Sequence, residues 1–188
     1  MAPRDNQRAR ATARIAAHLL ATGLAATSLR QLAGAAQASD RMLLYYFTDK
    51  ADALASAMSA IAGDLGARLA DAIPPAPRLA PAALVAAAAQ ITTASDIKPY
   101  MRLWIEVVAA AARGEAPFPT IAHGIADGFR SWIEARLDPA GLADPGGTAA
   151  LILATVDGLA LLDACSEDRV VARAVEAAGE AANPAVRR

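Results

Sequence analysis

Apolar side chains recur at three- and four-residue intervals through most of this chain. Leu29, Leu32, Ala33 and Ala36 fall at i, i+3, i+4 and i+7, which is one face of a helix. Leu54, Met58, Ile61, Leu65 and Leu69 carry the same period along a longer helix. That helix is capped by Asp49 and ends at Ile73, ahead of Pro74 and Pro75. No stretch alternates apolar and polar residues with the period of a strand. The pattern predicts an all-α fold of about nine helices and no sheet.

The helix boundaries follow from capping chemistry. Residues 1–7 read as an arm, and Arg8 to Thr22 as the first helix, closed by Gly23. Ser28 and Gln31 have the spacing of a capping box, and Ser39 caps a second short helix through Phe47. The proline-rich run 74–81 is a stiff connector. Pro81 then opens a helix to about Thr93. Asp96 is expected to cap the next, with Pro99 in its first turn, running to Ala112. Pro117 and Pro119 introduce another to Leu137. Asp144 and Pro145 start a segment that is apolar on nearly every side, and a last helix runs from Glu167 to about Ala182.

On a helical wheel of the segment after Ser39, Leu43, Leu44 and Phe47 point one way. Arg41, Met42, Tyr45 and Tyr46 point the other. Such an outer face suits a helix lying in the major groove of DNA: Arg for guanine edges, apolar atoms for thymine methyls, Tyr for phosphates. Arg41 and Tyr45 are therefore expected to reach base edges, with Met42 on a thymine. Charge agrees. Residues 1–50 hold seven basic side chains against Asp5, Asp40 and Asp49, a net of +4. The whole chain is at -1, so the remainder is at -5. A basic head on an acidic body is the footprint of a nucleic-acid reader.

The stretch Thr27–Leu54 resembles the helix-turn-helix of the tetracycline-repressor (TetR) family of bacterial transcriptional regulators. The resemblance rests on Thr27, Leu32, Ala33, Ala36, Ala38, Ser39, Leu43, Tyr46, Phe47, Lys50 and Leu54. Two positions depart from the family's pattern: Gln37 replaces the turn glycine, and Leu44 replaces a phosphate-contacting tyrosine. A left-handed residue other than glycine costs about 1 kcal/mol or more, so a reshaped turn is expected. VDGLAL, at 156–161, also resembles the family's C-terminal pairing helix.

The resemblance implies a DNA-binding head over 1–48 and a ligand-binding and dimerisation body over 49–188. It places Arg4 and Arg8 near the DNA backbone and Thr27, Ser28, Tyr46 and Lys50 on phosphates. It implies a pocket among the fourth to seventh helices. The large side chains there are Met58, Ile61, Leu65, Met101, Trp104, Val108, Ile125 and Phe129, with Tyr100, Glu106 and His123 as polar anchors. Such a lining suits an apolar or aromatic effector. The two C-terminal helices are expected to form a four-helix dimer interface through Leu151, Thr155, Leu159, Leu162, Val171 and Val175. The implied function is a ligand-responsive regulator, a repressor released from a pseudo-palindromic operator. Its partners would be operator DNA, a second copy of itself and a small-molecule effector.

Other chemistry finds no motif. There is no metal-ligand spacing, no phosphate-cradling glycine loop and no nucleophile motif, so neither enzyme activity nor a cofactor or metal is expected. Glu106 and His123 are more simply polar handles than an acid–base couple. The single Cys165 allows no internal disulfide. No uninterrupted apolar run reaches the roughly 18 residues of a membrane span, and the N-terminus has no apolar signal centre. A cytoplasmic protein is expected. The rival reading is a helical small-molecule carrier or dimeric scaffold whose head no longer reads DNA, favoured by Gln37 and Leu44.

Overall fold

The structure, a computed structural model, describes residues 3–166 and 168–181. Among them are nine α-helices: α1 (Pro3–Thr22), α2 (Leu29–Ala35), α3 (Asp40–Tyr46), α4 (Lys50–Ala72), α5 (Pro81–Thr92), α6 (Lys98–Ala112), α7 (Phe118–Arg136), α8 (Pro145–Cys165) and α9 (Asp168–Ala181). A short 3-10 turn, Gly23–Ala26, follows α1. No strand occurs among the described residues; one isolated parallel bridge joins Leu79 and Leu137. The all-α expectation holds.

Two boundaries differ from the sequence reading. The first helix begins at Pro3, so most of the expected arm is helical. α6 starts at Lys98, one residue later than a cap at Asp96 implies. Ile97 and Lys98 donate their backbone N–H groups to Ala94 O, at 3.0 and 3.1 Å, so a tight turn starts the helix where a side-chain cap was expected. The Asp96 carboxylate instead meets Arg68 Nη1 at 3.5 Å.

The chain divides into two compact units. The first takes in the chain as far as Leu65 together with Arg102–Ile125, and the second takes in Gly66–Met101 and the chain from Ala126 onward. In the first unit α1 contacts α2 and α3, and these contact each other. Ile15, Leu19, Leu32, Leu43, Phe47 and Leu54 are all but fully buried. Of these, Leu32, Leu43, Phe47 and Leu54 are positions that the sequence pattern singles out.

The core of the second unit is a cluster of Ile73, Leu84, Val85, Ala88, Ile133, Leu137, Ala149, Ile152 and Val156. α5 packs against α8 and α9, its alanines allowing close approach. Arg136 locks this unit. It is buried, donates Nε–H to Ile73 O at 2.6 Å and Nη1–H to Trp132 O at 3.2 Å, and stacks 4.0 Å from the Trp132 ring. Burial pulls its pKa below the ordinary arginine value. The proline-rich connector is pinned nearby. Leu79 N–H donates to Arg136 O and Asp138 N–H to Leu79 O, both at 2.8 Å.

α8 begins at the Asp144 cap, whose carboxylate accepts the Gly147 N–H at 2.9 Å. By length and composition α8 could cross a membrane, although Asp157 and Asp163 interrupt its apolar run as expected. Much of its apolar surface is open within the chain: Leu151 is 68% exposed and Leu161 54%.

Candidate nucleic-acid interface

The interface candidate is built from two short helices and the turn between them. α2 starts with a full capping box. Ser28 Oγ accepts the Gln31 N–H at 3.3 Å, and Gln31 Oε1 accepts the Ser28 N–H at 3.0 Å. The helix ends in a Schellman arrangement. Ala38 N–H donates to Ala33 O at 2.9 Å and Gln37 N–H to Gly34 O at 3.0 Å. Gln37 occupies the left-handed position with φ of +56°. The expected reshaping does not occur: the two closing hydrogen bonds hold the turn although its residue is not glycine. Ser39 then caps α3, accepting the Met42 N–H at 3.2 Å.

α3 is anchored by Leu43 and Phe47, both buried. Arg41, Met42 and Tyr45 are exposed on its outer face, and Tyr46 is half-buried. Leu44 corrects the wheel: it is 47% exposed. At about 100° per residue it lies on the border of the buried face, and Leu43 and Phe47 already fill that face.

Several side chains expected at the DNA backbone have partners inside the unit. Arg4 Nη2 donates to Tyr45 O at 2.9 Å, and its guanidinium lies 4.9 Å from the Tyr45 ring. Tyr46 meets that ring edge-on at 5.8 Å. Arg8 Nη2 bridges Asp52 Oδ1 at 2.7 Å and Ser56 Oγ at 3.0 Å, and sits over Phe47. Thr27 Oγ1 donates to Leu24 O and Ser28 Oγ to Gln31 Oε1. Lys50, at the start of α4, is exposed, as are Arg10, Arg30 and Arg41.

The sequence reading missed two contacts that tie the head together. Arg14 Nη1 donates to Ala36 O at 3.1 Å, meeting the negative end of α2. Glu106 of α6 accepts the Leu24 N–H at 2.7 Å, from 82 residues away. It sits against Gly23, whose φ is +66°. His18 Nε2 also meets Ala26 O at 3.1 Å.

Of the other pocket candidates in the first unit, Met58, Ile61 and Leu65 are buried and Trp104 and Ile125 half-buried. Val108 and His123 are exposed. In the second unit Tyr100 is buried, with Arg68 5.7 Å from its ring, while Met101 and Phe129 are half-buried. Of the pairing candidates, Leu159 and Val171 are buried within the unit, Thr155, Leu162 and Val175 are half-buried, and Leu151 is exposed. Among the described residues no cluster of His, Cys, Asp or Glu could hold a metal ion.

No family model matches the chain, and no curated protein matches it by sequence. Solved structures do match. A transcriptional regulator from Rhodococcus sp. Rha1 is 24% identical, with a TM-score of 0.73 over 93% of this chain and 94% of that one. A Rhodococcus sp. protein assigned to the TetR family of transcriptional regulators is 18% identical, with a TM-score of 0.74 over 94% and 98%. The multidrug-binding protein EbrR, solved with imidazole, is 22% identical, with a TM-score of 0.66 over 93% of each chain. Nine helices, a capped helix-turn-helix near the N-terminus and these matches lead to one conclusion: the chain has the fold of the TetR-family transcriptional regulators.

Proposed function

We propose that this protein is a TetR-family DNA-binding transcriptional regulator that works in the cytoplasm as a homodimer. The observation that carries the reading is α3. It is a short helix capped at its start and anchored by two buried residues, and it turns Arg41, Met42 and Tyr45 outward. Arg10, Arg30 and Lys50 of the same unit are exposed, and the electrostatic attraction of DNA needs such charges. Non-enzymatic function fits the same fold.

Pairing is supported by α8. Its exposed positions Leu151, Ala154, Gly158, Leu161 and Cys165 fall at i, i+3, i+7, i+10 and i+14. This is the heptad spacing of a helix seam, small where helices would cross closely and apolar throughout. A two-fold pair would set two copies of α3 on half-sites about one DNA turn apart, near 34–36 Å.

Effector control is the finer part of the proposal. The buried apolar residues of α4 and the half-buried Trp104 suit an apolar or aromatic molecule. An effector acts only if it prefers one state of the protein over another. Release from DNA would make the protein a repressor.

The test is a gel shift with DNA flanking its own gene, with salt titration. Arg41→Ala should lose about 1–3 kcal/mol and relax sequence preference. Lys50→Ala should weaken all sequences alike and lower the salt slope by about one. A protein that ignores every duplex would move the carrier reading ahead.

A further inference from the structure

Seven large apolar side chains are exposed among the described residues, and three of them, Met42, Leu44 and Tyr45, fall on the seven-residue α3. Exposure on this scale in one short helix needs a reason, because Leu43 and Phe47 already anchor it. Arg41 and Leu44 are three residues apart, as are Met42 and Tyr45, so the outer face is two adjacent pairs. The Tyr45 ring is held by Arg4 above it and by the edge of Tyr46. What remains is one guanidinium, one phenol hydroxyl and two aliphatic chains of short reach.

The floor of the major groove offers few matches for such chains. Its hydrogen-bonding atoms distinguish the four base pairs, but its only apolar group is the thymine C5-methyl. The exposed Arg10, Arg30 and Lys50, in the same unit, supply positive charge for the phosphates. We infer that Leu44 and Met42 read thymine methyl groups, so that the preferred half-site places A·T pairs beside the guanine taken by Arg41. This rests on the DNA-binding reading above and specifies which DNA is bound. Leu44, one of the two residues that depart from the pattern this stretch resembles, becomes a determinant of sequence choice.

The test begins by selecting the preferred duplex from a random pool with the full-length protein. Each thymine of the half-site is then replaced singly by deoxyuridine, which removes the methyl and keeps every hydrogen-bonding atom. Binding should weaken about fourfold at each thymine that is read, the value of one buried methyl-sized group. Leu44→Ala should abolish that difference at one position and Met42→Ala at another. Both residues are exposed, so thermal melts of the variants should match the parent. If deoxyuridine is tolerated everywhere, the methyl reading is overturned while DNA binding stands. If both variants keep the full thymine preference, the methyls act through DNA shape, and the assignment to these residues falls. If no sequence is enriched and all duplexes bind alike or not at all, the DNA-binding reading fails first and takes this inference with it.

Discussion

The contact between Glu106 and the turn at Gly23 allows a quantitative test of how the first unit is held. The Leu24 N–H donates to a carboxylate at 2.7 Å, a charge-assisted bond. Removing such a bond and leaving the amide without a partner costs about 1.5–3 kcal/mol. Gly23 sits in the left-handed region, and a Cβ there would overlap the Glu106 carboxylate. Alanine at this position pays about 1–2 kcal/mol for its conformation. Part of that is offset by the smaller freedom of the unfolded chain, about 0.5–1 kcal/mol. It must also displace the carboxylate and so lose the bond. Gly23→Ala should therefore cost about 2–4 kcal/mol, and Glu106→Ala about 1.5–3 kcal/mol. The double variant loses the bond only once and has no clash, so it should be no worse than Gly23→Ala alone. The coupling between the two sites is then about 1.5–3 kcal/mol. Urea unfolding at one protein concentration measures it, since the midpoint of a dimer shifts with concentration. Losses that simply add would show that Glu106 and the Gly23 turn are independent, and that the contact contributes nothing to the fold.

Three other outcomes follow from the structure. Gln37→Gly should stabilise by about 0.5–1 kcal/mol, since glycine removes the left-handed cost but adds freedom to the unfolded chain; a thermal melt reads this, and a loss of stability would mean that the Gln37 side chain holds the turn. Arg136→Ala should cost about 3 kcal/mol by unfolding midpoint, from two hydrogen bonds of a charged donor and its stacking on Trp132; a change below about 0.5 kcal/mol would make the buried guanidinium incidental. Leu151→Glu and Leu161→Glu should give folded monomers in sedimentation, because charge would be buried between two copies, whereas Leu159→Glu should damage the fold itself; dimers that persist through both exposed substitutions would place the pairing face elsewhere.

The helices and their order were legible in the sequence because their causes are local. Leu54, Met58, Ile61, Leu65 and Leu69 lie on one face of α4 whatever it packs against, and each proves buried. Ser28, Ser39 and Asp144 cap the helices they were expected to cap, since a capping bond spans only a few residues. The start of α6 was misread for the same reason: Asp96 has the chemistry of a cap, but a backbone turn at Ala94 supplied the bonds first.

The tertiary structure decided what depends on partners far along the chain. Gln37 looked like a broken turn, and two backbone hydrogen bonds keep it in the left-handed region. Leu44 looked like core, and the volume beneath α3 is already taken by Leu43 and Phe47. Arg4 and Arg8 were placed near the DNA backbone, and only the fold shows that Tyr45, Asp52 and Ser56 come within their reach. Glu106 carries a contact that no local pattern indicated: its carboxylate accepts an amide from another part of the chain. Periodicity reports which face of a helix is apolar. Which atom satisfies a long charged side chain depends on distances that only packing sets.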